Sequence, residues 1–72
     1  MSSINSKEYK EIIERLIKAR KDLGLTQSQV ADQLGKPQSF VSKVESRERR
    51  LDVTELKQFA KIYKVHVADL ID

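Results

Sequence analysis

LGLTQSQVADQLGKPQSFVSKVE, residues 23–45, is the stretch that decides the fold. Thr26 followed three residues later by Gln29 has the form of a capping box, so a helix starts there. Val30, Ala31 and Leu34 are its inward residues, and Gly35 is a stop that supplies a left-handed backbone without strain. Past the glycine a second short segment begins near Pro37, a residue suited to the first helical turn because its missing N–H would have had no partner there. That placement puts Lys36 at the cap with no capping side chain. Val41 and Val44 face inward. Gln38, Ser39, Ser42 and Lys43 remain outside, with a single Phe40 among them. A solvated surface explains such polarity, but amides, hydroxyls and a lysine are also the groups that read base edges.

Helical patterns flank this pair on both sides. On the N-terminal side, Asn5 with Glu8 reads as a capping box and Ile4 with Tyr9 as its hydrophobic staple. Tyr9, Ile12, Ile13, Leu16, Arg20 and Leu23 follow helical spacing and form one inward face, ended by Gly24. On the other side, SRERRLD reads as an exposed basic loop, and Asp52 with Glu55 as a third capping box. Leu56, Phe59, Ala60 and Tyr63 make the next apolar face, and VADLID is a last short helix packed through Val67 and Leu70. No β-hairpin signal or repeat competes. The expectation is an all-α fold, a compact five-helix bundle, in one domain over residues 1–72 with residues 1–5 as a flexible N-terminus. Helices this short are marginal alone, so the second and third must be held by the first and fourth. The outer side of residues 38–43 is then a presented surface with a rigid back.

At 72 residues the chain makes one small core. It has no cysteine, which excludes a disulfide framework, a thiolate zinc site and thiol catalysis, and fits a reducing cytoplasm. No apolar run approaches a membrane span or a secretory signal core. The net charge of +3 is unevenly spread. Residues 36–50 hold five Lys and Arg against two acids, whereas residues 51–72 hold three against four. His66 is the only histidine and reads as an N-cap or surface residue, with Asp69 as the acid three places on. No metal site, cofactor or small-molecule ligand is expected. Nor is an enzyme, since no nucleophile has a base partner at a recognisable spacing.

Residues 20–70, RKDLGLTQSQVADQLGKPQSFVSKVESRERRLDVTELKQFAKIYKVHVADL, resemble the helix-turn-helix domains of the phage-repressor and Cro class of bacterial regulators, the Xre family. LGLTQ before the second helix, Ala31, Gly35 in the turn, VSKVE in the third helix and the apolar closing segments carry the likeness, which runs from about Leu16 to Leu70. It implies a lambda-repressor-like DNA-binding domain whose recognition helix, at about Gln38 to Glu45, enters the major groove. Gln38, Ser39 and Lys43, with Ser42 close by, match the base-reading positions. Thr26 and Gln27, at the start of the second helix, match backbone-gripping ones. Arg47, Arg49 and Arg50 lie in the loop that runs along the DNA backbone in the family. Arg20 and Glu45 match a buried ion pair between the first and third helices. Phe40 is read two ways, as a ring tucked against the second helix or as an apolar contact to a thymine methyl or sugar. Three positions depart from the family pattern: Pro37 replaces a Ser or Thr cap, the loop lacks the glycine common after the recognition helix, and Lys64 stands where glycine often ends the fourth helix.

The function expected from this likeness is a sequence-specific, double-stranded-DNA-binding transcriptional regulator, bacterial or phage-encoded and cytoplasmic. A repressor is favoured, bound as a homodimer to a palindromic operator with half-sites about 34 Å apart. Ile62, Val67 and Ile71 are candidates either for the dimer contact or for the core. The alternative is a protein-interaction module such as the antitoxin of a toxin–antitoxin pair, with DNA binding secondary. The chain has no room for a ligand-sensing domain.

Overall fold

The computed structural model describes residues 6–72. Five helices follow one another: α1 (Lys7–Asp22), α2 (Gln27–Leu34), α3 (Gln38–Glu45), α4 (Val53–Tyr63) and α5 (Val67–Ile71). Helix α1 lies against α3, α4 and α5, and α2 packs on α3 and α4. The core is built from Tyr9, Ile13 and Leu16 of α1, Val30 and Ala31 of α2, Val41 and Val44 of α3, Phe59, Ala60 and Tyr63 of α4, and Leu70 of α5. All five helices contribute, as a chain this small requires. Burying one such aliphatic or aromatic side chain is worth about 1.5–3 kcal/mol, and the 8-residue helices α2 and α3 depend on it.

The capping chemistry sets most boundaries. Thr26 Oγ1 accepts from the Gln29 N–H while Gln29 Oε1 accepts from the Thr26 N–H, and Asp52 and Glu55 repeat the reciprocal arrangement at α4. At α5, His66 is the N-cap residue and its N–H donates to the Asp69 carboxylate. Gly24 and Gly35 both take positive φ of 69°, turning the chain after α1 and α2.

Four local expectations change. Helix α1 is capped by Ser6, whose Oγ accepts from the Tyr9 N–H at 3.1 Å, so the start falls one residue later than an Asn5 cap would place it. Asn5, Ile4 and the rest of residues 1–5 lie outside the described residues, and with them the proposed staple and flexible N-terminus. Pro37, not Lys36, is the N-cap of α3: its φ of −70° and ψ of 155° keep it extended, and its carbonyl accepts from Phe40. Leu23 leaves the inward face and is 45% exposed, because it is the residue at which the helix has already ended. The basic loop is not simply exposed. Arg47 and Arg49 are half-buried, and the Leu51 N–H donates to the Tyr9 hydroxyl at 2.9 Å.

Without the usual glycines, two non-glycine residues take the left-handed region: Arg47 with φ of 66° and Lys64 with φ of 59°. An L-residue there costs about 1–2 kcal/mol. Ile62 and Val67 are half-buried against the core, while Ile71 is 47% exposed. No helix among the described residues is long and apolar enough to cross a membrane. No cluster of His, Cys, Asp or Glu among them is arranged to hold a metal.

Candidate nucleic-acid interface

Helices α2 and α3 meet through Val30 and Ala31 on one side and Val41 and Val44 on the other, with the left-handed Gly35 between them. This packing fixes which side of α3 faces out. Gln38, Ser39 and Lys43 are exposed and Ser42 is half-buried, so the four polar residues share the outer side and its edge.

A chain of hydrogen bonds runs from the core to Gln38. Arg20 Nε and Nη2 donate to the two oxygens of Glu45 at 2.7 and 3.0 Å, a two-point guanidinium–carboxylate pair. Arg20 Nη1 also donates to the Leu25 carbonyl. Glu45 Oε1 accepts a third bond, from Gln27 Nε2 at 2.8 Å, and Gln27 Oε1 accepts in turn from Gln38 Nε2 at 2.7 Å. The Glu45 hydrogen bonds, more than its charge alone, raise the Arg20 guanidinium above its ordinary range.

Direction along this chain follows from chemistry. An ionised carboxylate only accepts. Gln27 must therefore present its NH₂ to Glu45, which turns its carbonyl oxygen to Gln38 and obliges Gln38 to present NH₂ in return. Gln38 keeps one N–H and its carbonyl oxygen for an outside partner, the donor–acceptor pair that matches adenine N7 and N6. The 2.7 Å bond also brings the N-terminal ends of α2 and α3 together at one place. Both helix ends carry partial positive charge, and first-turn N–H groups have no partner within a helix, so the place suits an anion.

The family resemblance sets Gln27 against a phosphate, but nothing in the sequence signals that its side chain joins Glu45 to Gln38. Its side chain is engaged at both ends, so a phosphate could be met here by the backbone N–H groups of the first turn of α2. Thr26 uses its hydroxyl oxygen in the cap.

The loop after α3 holds the arginines differently. Arg49 Nη1 and Nη2 each donate to Glu55 at 2.8 Å, and Nη1 also reaches the Arg50 carbonyl. The Arg49 guanidinium carbon stands 4.6 Å from the Phe40 ring centre. The Phe40 and Phe59 rings are nearly parallel, 7° apart in orientation, with centres 6.3 Å apart. Phe40 thus packs on α4 through Phe59, with Arg49 near its ring and Lys36 Nζ 5.5 Å from its centre. Arg50 approaches the Tyr9 ring. The Glu48 and Arg49 N–H groups both donate to the Lys43 carbonyl, folding the loop back on the end of α3.

Comparison with known proteins agrees with this geometry. The family described as helix-turn-helix matches residues 16–70. A solved structure described as an XRE-family like protein from Pseudomonas syringae pv. tomato str. DC3000 is 43% identical, over 88% of this chain and 77% of that one, with a TM-score of 0.83. No curated protein sequence matches.

Proposed function

Because the chain belongs to the Xre family of helix-turn-helix DNA-binding regulators, we propose that it is a repressor, a single DNA-binding domain that reads a palindromic operator as a homodimer. The Gln38 amide, oriented through Gln27 by a carboxylate that can only accept, is the observation that carries this reading. In it Gln38 pairs with an adenine, Lys43 reaches a guanine O6 or N7, and Ser39 and Ser42 make less selective contacts. Phosphates are met by the first-turn N–H group at Gln27, beside the Thr26 cap, and by cationic side chains of the loop, with Arg47 favoured over the ion-paired Arg49. Positioning and reading thus come from different elements.

The dimer follows from the small number of base contacts one α3 can make. Genome-scale specificity requires more, and two copies on half-sites one helical turn apart provide them. Of the three apolar candidates, Ile71 is the most exposed, while Ile62 and Val67 already pack on the core. Like its relatives, the protein acts by binding DNA, not by catalysis. The test is selection of the purified protein against a randomised duplex pool at about 0.15 M salt, near physiological ionic strength. Enrichment of an inverted repeat with half-sites one turn apart is expected. Recovery of sequences no different from the starting pool would refute the reading.

A further inference from the structure

The contacts of Arg49 point to a role that the composition of the loop conceals. Arg49 lies among three arginines beside the recognition helix, where phosphate binding is the obvious assignment. Its charge is instead matched by Glu55 through two hydrogen bonds of 2.8 Å. A third bond, to the Arg50 carbonyl, holds the loop backbone, and the guanidinium stands over Phe40, which is stacked on Phe59. Glu55 also accepts from the Asp52 N–H in the cap of α4. Glu55, Arg49, Phe40 and Phe59 therefore form one column that joins α4, the loop and the first turn of α3. Phe40 is two residues from Gln38, so whatever fixes Phe40 also fixes the end of the helix that carries the base-reading amide.

We infer that Arg49 is a positioning residue rather than a phosphate contact: through Glu55 and Phe40 it sets the path of the loop and the placement of Gln38 and Ser39. This rests on the DNA-reading assignment made above for α3. The ion pair's effect on DNA binding is then opposite in sign to that of simple charge. Removing the Glu55 carboxylate makes the protein more positive, which by electrostatics alone strengthens binding to DNA. Loss of the column weakens it.

Glu55→Gln is the decisive variant, because glutamine still completes a capping box and the fold of α4 is kept. Binding of the full chain is measured to the most enriched duplex from the pool selection and to a scrambled duplex of the same composition, across a salt series. For Glu55→Gln the expected result is a loss of about 10-fold on the enriched duplex, the size of couplings between contacting groups, with little change on the scrambled one. Arg49→Gln should lose affinity likewise, with an unchanged salt slope. Amide exchange at Glu48 and Arg49 should quicken in both variants, while amides of α1 and α5 keep their wild-type rates. Equal or tighter binding by Glu55→Gln, or a fall of about one unit in the salt slope of Arg49→Gln, the signature of a lost phosphate contact, would overturn the inference. A wild type that does not discriminate the two duplexes overturns the DNA-reading assignment and this inference together. Unaltered exchange in the loop overturns the inference alone.

Discussion

Replacing Glu45 by glutamine perturbs the fold and the reading surface at one atom. The carboxylate accepts three hydrogen bonds, two from Arg20 and one from Gln27. A glutamine offers one acceptor oxygen and turns an NH₂ donor toward donors. At least one charge-assisted bond is lost, worth about 1.5–3 kcal/mol, and Arg20 keeps its charge without an anion beside it. The side chains are 11% and 6% exposed, so water compensates poorly, and breaking such a pair from one side costs about 3–5 kcal/mol when it is fully buried. Because the pair is not sealed, the lower end applies, about 3 kcal/mol. A chain of 72 residues has a total stability of about 4–11 kcal/mol. Glu45→Gln should therefore remain folded at 25 °C but melt about 12–24 °C lower, as followed by helical circular dichroism. Arg20→Met combined with Glu45→Met should recover at least half of the loss, since no unpaired charge remains. A fall of less than about 5 °C in the single variant, or a double variant less stable than the single, would refute this reasoning.

Arg47→Gly should relieve the left-handed strain at φ of 66°; after the extra chain entropy of glycine, a gain of about 0.5–1 kcal/mol is expected by urea denaturation, together with weaker DNA binding if Arg47 meets a phosphate. The Tyr63 hydroxyl is buried with no hydrogen-bond partner among the described residues, so Tyr63→Phe should be neutral or stabilising by about 1 kcal/mol at pH 7. Burial also pushes the Tyr63 phenol well above its ordinary value of 10.0. The unfolded chain releases this proton first, so wild-type stability should fall above pH 10 by about 1.4 kcal/mol per pH unit more steeply than that of Tyr63→Phe. The Arg49 hydrogen bonds hold the Glu55 carboxyl below its ordinary value of 4.5. The stabilisation is therefore complete above that value and lost as pH falls through the lower folded one. Carboxyl resonances should give Glu55 a midpoint below 4.5 in the wild type, rising in Arg49→Gln while the Asp52 N–H bond remains.

Local chemistry was legible in the sequence where it acts over three or four residues. The Thr26–Gln29 and Asp52–Glu55 boxes and the two glycine turns mark helix ends by themselves, and they place both ends of α2 and the start of α4 at the residues observed. The features that organise the candidate site act over longer separations. Gln27 and Glu45 are 18 residues apart, and Tyr9 reaches Leu51 across 42. The Arg49–Glu55 pair spans 6 residues across a helix boundary, a separation at which no periodic pattern applies. Phe40 was ambiguous because a lone ring on a polar segment has no partner in the sequence, and Phe59 becomes one only when α3 and α4 are folded together. The alternative starts at Asn5 and Lys36 illustrate a smaller limit: adjacent residues compete for a cap, and the caps are identified only by the bond from the Tyr9 N–H to Ser6 Oγ and by the extended φ and ψ of Pro37.

Wild type and Gln38→Ala should be titrated in parallel against the selected operator and against every single-base-pair change within one half-site. The wild type should prefer adenine at one position by about 1–3 kcal/mol, and the variant should lose that preference at that position alone while keeping the others. Unchanged base preferences in Gln38→Ala, or a uniform weakening on every sequence, would contradict the account that an amide oriented from the core reads the DNA.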